Sequence, residues 1–504
     1  MNKRPFIRKI IYLAAIVVLL APLSLMSMPA RRPNSQDAGT KGGVLAQLRE
    51  KHKLSQANLG EIDPTSETIK LATLGMRGVA TYALWNKANE YKLKEDWTKL
   101  KASLEQITKL QPNFPSVWEF EAWNLAYNIS AQFDDYRDRY FWHMEGIRFL
   151  QDGIRHNETA PRLPYYLGWI VSYKLGRADE HLQFRRLFRE DTEFNGKRPI
   201  EERDNWLVGR QFHLDAEAMA ARMDGGGVVN PLMFFSRSPM CLIDYATALE
   251  EEGVLDEKAG NAWDVALNSW KEFGDSELRL PEGSVRMNSY DEVRKEIEDL
   301  NKRMNELPPG NLRVILLEEK RAKLADTERA ALDKAIETRT PDEVQLAARA
   351  EPKLNISSEE LAERVDPEYR AEAKKLASSL NELSHDLRRI ESNRNTLNYE
   401  YWLIRSDLER RNDTLEARRL TNQAERAFEI DNDLPAAQKL YDQAFAKWNN
   451  VLEEFPTMRE SPIFNEDMMV IIRKYRVLLE RLDIQELPEN FPLHDIINAH
   501  PARQ

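Results

Sequence analysis

The sequence has one cysteine, Cys241, among 504 residues. A lone thiol excludes an intramolecular disulfide framework, an all-cysteine zinc or iron–sulfur cage and a Cys-x-x-Cys-His haem attachment. Glycine and proline are sparse, at 20 and 24 residues, which excludes collagenous and low-complexity chains. Histidine is scarce too: the eight, at positions 52, 143, 156, 181, 213, 385, 494 and 500, never stand four apart. No helix can therefore offer a two-histidine metal face. There is no His-Glu-x-x-His, Gly-x-Ser-x-Gly, Walker loop or Ser-x-x-Lys. The expectation is of no catalytic residue, no metal and no cofactor. Positive charge is in deficit, 72 basic against 83 acidic residues for a net −11, so nucleic acid is not an expected partner. Strand alternation is missing as well, since apolar residues recur at three and four rather than two.

The most polar-free stretch lies at the start. Lys3, Arg4, Arg8 and Lys9 precede Ile10–Ala30, a run with no charged residue, and Arg31 and Arg32 follow it. Such a run is about long enough for one helical crossing of ~30 Å of hydrocarbon. Basic residues ahead of it favour a cytoplasmic N-terminus with the bulk of the chain exported to the periplasmic side. Residues 1–9 read as a cytoplasmic tail and 10–30 as an uncleaved transmembrane signal-anchor. The alternative is a signal peptide that is cleaved, with secretion to the periplasm; no Ala-x-Ala stands ahead of Arg31. Residues 1–32 hold six basic and no acidic residues, so taking six from −11 leaves −17 on the remainder. Residues 31–63 read as a linker with a short helix at Val44–Leu54, closed by Asp63-Pro64 as a helix cap and first turn.

Residues 64–275 read as stacked helix pairs. Leu84, Ala88 and Tyr91 line one helix, a turn follows at Lys94–Asp96, and Trp97, Leu100, Leu104 and Ile107 line the next before Pro112. Each stripe has helical spacing, and one pair alone cannot bury both faces. Trp118, Ala122 and Leu125 stand thirty-four residues after Leu84, Ala88 and Tyr91, and a third pair opens at Pro161 with Leu167-Gly168, then Phe184 and Leu187. The second pair carries about twelve extra residues near Tyr127–Asp138. A fourth pair is expected at Cys241–Glu252 and Asp256–Phe273. In between, Gly225–Gly227 and Val228–Met240 read as an apolar loop plugging a concave face rather than touching a membrane.

Trp118, Ala122, Leu167, Gly168, Tyr91 and Pro112 together resemble the tetratricopeptide repeat, a 34-residue helix–turn–helix. The second-helix alanines of that pattern are replaced, by Leu100 and Ile107, which are larger, and by Gly146 and Gly153, which are smaller. Tether and repeats together are similar to membrane-anchored bacterial proteins. The resemblance implies an all-α solenoid whose groove holds a peptide or partner helix, and hence a non-enzymatic scaffold for protein partners.

Between 285 and 411 the period changes to the heptad spacing of a long, coiled-coil-like helical hairpin. Val293, Ile297, Leu300, Met304 and Leu307 alternate steps of four and three up to Pro308-Pro309-Gly310. From Asp366-Pro367, a seam of Leu376, Leu380, Leu383, Leu387, Ile390, Leu397, Tyr401, Ile404 and Leu408 predicts one helix over 367–410, roughly 65 Å long at ~1.5 Å per residue. That seam closes a hairpin within one chain, or else a homo-oligomer. Thr340-Pro341-Asp342-Glu343 and Ser357-Ser358-Glu359-Glu360 read as capping boxes that start shorter helices in between. Residues 412–484 predict a last repeat-like pair and a capping helix with a polar outer face, and 485–504 a tail.

One segment breaks the helical monotony. Asp134, Asp135, Tyr136, Arg137, Asp138, Arg139, Tyr140 and Trp142 mix carboxylates, guanidiniums and rings, the chemistry that grips a peptide or a sugar. These are the candidate partner-binding residues. The competing classes are a helical enzyme or glycan-binding protein of the cell envelope, and a structural oligomeric tether.

Overall fold

The computed structural model describes residues 77–223, 228 and 230–499. The signal-anchor over 10–30 lies outside them, as do the linker and Asp63-Pro64. Among the described residues no helix is long and apolar enough to cross a membrane. Helix accounts for 78% of the described residues and strand for 1%, so their fold is all-α. It divides into two compact units: the chain up to Asn230 with Arg237–Glu252, and Pro231–Ser236 with everything from Gly253 on. The longer helices are numbered below in chain order.

The first unit opens with α1 (Arg77–Leu93) and α2 (Trp97–Leu110). Asp96 caps α2 by accepting the Lys99 N–H at 3.2 Å. Ala88, Leu100, Leu104 and Ile107 then bury together with Val117, Leu125 and Ile129. α3 (Pro115–Trp123) starts on a proline, where the missing N–H is harmless. It runs on as a π turn over Asn124–Ile129, whose Ser130 N–H reaches back to Leu125 O. This π turn and the 3-10 turn Ser130–Gln132 take up part of the extra length of the second pair. α4 (Tyr136–His156) packs along α3, and its glycines let the two backbones close in. A Cβ on Gly146 would lie 2.7 Å from Ala122 O, and one on Gly153 2.7 Å from Trp118 Cγ.

α5 (Arg162–Trp169) repeats the device, passing into a π turn over Ile170–Lys174. α6 (His181–Glu190), α7 (Asn205–Ala221) and α8 (Arg237–Glu251) complete the unit. α7 lies against α5, with Gly209 closed on Ser172 and Gly168 O. Arg185 of α6, 1% exposed, is held by Asp204 at 3.0 Å, Asn205 at 3.0 Å and Glu252 at 2.8 Å. A buried guanidinium is tolerable only with such a set of partners.

One expectation is corrected here. Val228–Met240 is not one loop: Pro231–Phe235 forms a helical turn, and α8 begins at Arg237, four residues ahead of Cys241. Pro231 and Pro239 sit in first turns, where proline is compatible with helix. Both helices expected for the fourth pair are present, α8 in the first unit and α9 (Glu257–Asp275) in the second.

In the second unit, α9 is capped by Asp256 and followed by a two-stranded hairpin, β1 (Leu278–Leu280) and β2 (Gly283–Val285), in register Leu278↔Val285. α10 (Tyr290–Glu306) lies antiparallel to α11 (Arg370–Leu397): Arg394 Nη1 donates to Met287 O at 2.7 Å near one end, and Arg303 meets Glu372 near the other. Shorter helices connect them, one with the Thr340–Glu343 capping box and one capped by Ser357.

The single helix over 367–410 is not formed. α11 begins at Arg370 and stops at Asn398, which is left-handed with φ 49°, and α12 (Tyr399–Glu409) starts afresh. The break turns Tyr399 into a buried wedge. Its ring stacks 5.4 Å from Trp270, its carbonyl accepts the Trp270 indole N–H at 3.0 Å, and its hydroxyl meets Asn288 Oδ1 at 2.8 Å. Gly274 has no side chain because the Tyr399 hydroxyl occupies that space. Leu376, Leu380, Ile390, Leu397 and Leu408 of the seam are buried, and Leu383 and Leu387 half-buried. α13 (Asn412–Glu429), α14 (Leu434–Glu454) and α15 (Pro462–Arg481) close the unit on Tyr441, Phe445, Trp448 and Tyr475. The outer face of α15 is not uniformly polar, since Ile463, Val470 and Val477 are exposed.

Candidate functional site

The most distinctive surface belongs to α3 and α5 and their π turns. Phe120, Trp123 and Tyr127 follow one another by three and four residues; Tyr166, Trp169 and Tyr173 do the same 46 residues later. Both triplets end in a π turn, and π turns inside α-helices recur at functional sites. Phe120, Trp123, Tyr166 and Tyr173 stay 40 to 49% exposed, although large rings usually bury.

Trp123, Tyr127, Trp169 and Tyr173 form one connected series. Trp85 of α1 meets Phe120 edge-on at 5.5 Å. Trp123 stacks on Tyr127 at 5.7 Å, and Trp169 on Tyr173 at 4.4 Å. The Trp169 indole N–H donates to the Tyr127 hydroxyl at 2.9 Å, which joins the two triplets. Cations cover two ring faces: Lys174 lies 4.6 Å over Tyr127 and Arg237 lies 4.6 Å over Trp169. Burial pushes the Tyr127 phenol up to about 12, and burial followed by the nearby Arg139 pulls the Lys174 ammonium down. Arg162 pairs with Glu119 and donates to Ser116 at 3.1 Å at the rim of the same face.

Beneath the rings lie buried ionisable groups. His143 donates its Nδ1–H to Ala126 O at 2.7 Å, a carbonyl of the first π turn that also accepts from Ser130. Burial drives this imidazole down to about 3, so it is neutral and structural. Glu121 is 1% exposed, and burial raises its carboxyl to about 8 against the pull of the Asn124 hydrogen bond. On α7, Arg210, His213 and Glu217 follow at helical spacing beside Arg237. Burial, with Arg237 adding to it, takes His213 down to about 3; burial takes Glu217 up to about 7. Cys241 is buried and its thiol is pushed up to about 12 by burial, which leaves it without nucleophilic thiolate at neutral pH. Among the described residues no three His, Cys, Asp or Glu are placed to hold a metal ion.

The segment singled out from its composition is spread over several surroundings. Asp135 caps α4, accepting the Arg137 N–H at 2.7 Å. Arg139 pairs with Glu180 at 2.5 Å and donates to Phe133 O at 2.6 Å. Tyr136 and Tyr140 pack against the α3–α5 core, and Trp142 stacks on Phe133 in the neighbouring cluster. Asp134, Arg137 and Asp138 are exposed, with Arg137 over the Tyr136 ring. A second concavity of about 370 Å³ between α2 and α4 is lined by Trp118 and Phe149, but its charges already pair among themselves, as in Arg148–Glu145 and Arg155–Asp152.

Composition missed the exposed triplets because a 34-residue template hides a 46-residue offset. The aromatic spacing itself was visible in the sequence. No family model, curated protein or solved structure matches the chain.

Proposed function

We propose that the chain is a membrane-anchored, non-enzymatic scaffold that holds a segment of a protein partner on the aromatic face of α3 and α5. The observation that carries this is the repeated, half-exposed ring triplet with Lys174 and Arg237 on its faces. Exposed rings with apolar bodies and polar tips supply contact area at low entropic cost, and aromatic and Arg anchors dominate binding energy at interfaces. The helix pairs act as divergent tetratricopeptide-like repeats, in which Gly146 admits the Ala122 carbonyl and Gly153 the Trp118 side chain where that pattern has alanine. The Asp134–Trp142 segment borders the face through Arg139, which acts on Lys174, and its exposed Asp134, Arg137 and Asp138 extend the contact. Residues 10–30 provide the anchor.

The test is a crosslinked pull-down of the full chain from its own membranes, wild type against a Trp123→Ala/Trp169→Ala/Tyr173→Ala variant. A partner that crosslinks to the wild type and is lost from the folded variant is the expected result. Equal recovery from both would place the partner elsewhere and defeat the proposal.

A further inference from the structure

Fourteen buried side-chain polar atoms among the described residues lack a hydrogen-bond partner, and five belong to one patch of the first unit: Arg210 Nε, His213 Nδ1 and Nε2, Glu217 Oε1 and Arg237 Nε. Buried polar atoms are nearly always paired, so such a concentration calls for a specific cause. The patch is built on rigid elements. Arg210, His213 and Glu217 project from successive turns of α7; Arg237 and Ser238 open α8. Trp169 stands 4.6 Å from the Arg237 guanidinium, and the His213 ring lies against Gly168 and 5.2 Å from Tyr165.

We infer that this patch is a binding site for a carboxylate. Two guanidiniums belong to it, and each favours the Cys241 thiolate against the effect of burial. In each guanidinium the Nε–H is unused, and Nε–H with a neighbouring Nη–H is the side-on fork that matches the two oxygens of a carboxylate. The other charged and titratable groups of the region are accounted for. Asp244 is paired with Arg177, Cys241 stays a thiol, His213 is neutral, and Glu217 hydrogen-bonds Ser238 and feels Arg210. The local balance is therefore positive in an otherwise acidic protein. Glu217 makes the site proton-dependent: as a carboxylate it competes with the ligand for the guanidiniums, and protonated it donates its O–H to the ligand. No covalent step is involved, and the site does not depend on the aromatic face holding a peptide.

The experiment is calorimetric titration of the full chain in detergent with sodium malonate, with sodium phosphate and sodium chloride as controls at fixed ionic strength, at pH 6 and pH 8. Saturable malonate binding is expected, about tenfold tighter at pH 6, because protonation of a group with pKa about 7 changes about tenfold between those values. Arg210→Gln and Arg237→Gln should each weaken it at least tenfold. Glu217→Gln should keep the pH 6 affinity and abolish the pH dependence, a result that a purely structural glutamate would not produce. A capped peptide bearing one Asp, titrated alongside, distinguishes a polypeptide carboxylate from a free acid by which of the two binds more tightly. Absence of saturable binding, equal binding of chloride, or unchanged affinity in the folded arginine variants would show that water alone serves these groups and would overturn the site. The pull-down above is unaffected by any of these outcomes, so the two proposals fail separately.

Discussion

Replacing Glu121 by glutamine should stabilise the α3 region at neutral and alkaline pH, and the gain should grow with pH. Glu121 is 1% exposed, one of its oxygens has no partner, and burial raises its carboxyl from the ordinary 4.5 to about 8. Between those values the unfolded chain has released the proton while the folded chain keeps it. The unfolded state then binds fewer protons, so stability falls as pH rises, and it levels off below about 4.5 and above about 8. At ~1.4 kcal/mol per pH unit, the full span amounts to about 5 kcal/mol for a group this buried. The glutamine side chain would keep the shape and can still bond Asn124 while having no proton to lose. Hydrogen–deuterium exchange of α3 peptides, corrected for the intrinsic pH dependence of exchange, reads the local opening free energy directly. Wild type and variant should coincide near pH 5 and diverge steadily up to pH 8, with the variant better protected. A difference that is flat with pH, or one that widens toward acid, would refute the assignment of a buried, protonated Glu121.

Gly153→Ala should lower thermal stability by ~1–3 kcal/mol through collision with Trp118, against at most ~1 kcal/mol gained in helix propensity, and Trp118→Leu should restore it; an unchanged melting temperature counts against the close α3–α4 packing. Asp204→Ala removes one partner of the buried Arg185 and should cost about 3–5 kcal/mol in urea melts, whereas loss of an exposed pair such as Lys94–Glu90 should leave the melt unchanged within error. Asn398→Val forces a branched residue into a left-handed position and should cost ~1–2 kcal/mol, while Asn398→Gly should be nearly neutral; equal effects would argue that α11 and α12 are continuous.

Features encoded within a few residues were the legible ones. Asp96, Thr340, Ser357 and Asp433 cap helices by contacts three residues away, so their signal is complete in the local sequence. Asn398 is different. The apolar seam runs through it unbroken, and the wedge that favours the break depends on Trp270, 129 positions earlier. Arg210, His213 and Glu217 illustrate the same limit at the candidate site. Their helical spacing puts them on one face of α7, and only the fold brings Arg237, with Trp169 against it, beside them. The Asp134–Trp142 segment shows the converse: neighbours in sequence, its residues serve a cap, two cores and an ion pair.

The order in which the chain emerges from the ribosome has a bearing on how the first unit can mature. α8 supplies Asp244 to Arg177, Arg237 to Trp169 and the Cys241 and Ala248 side chains against Trp206, and Glu252 just beyond it reaches Arg185. All of these arrive only after Pro231–Ser236, which belongs to the other unit, has been made. A nascent chain halted at residue 230 therefore has Arg185 and Trp206 without their closing contacts. The first unit is finished late, and a chain shortened there should occupy chaperones rather than accumulate as a folded fragment.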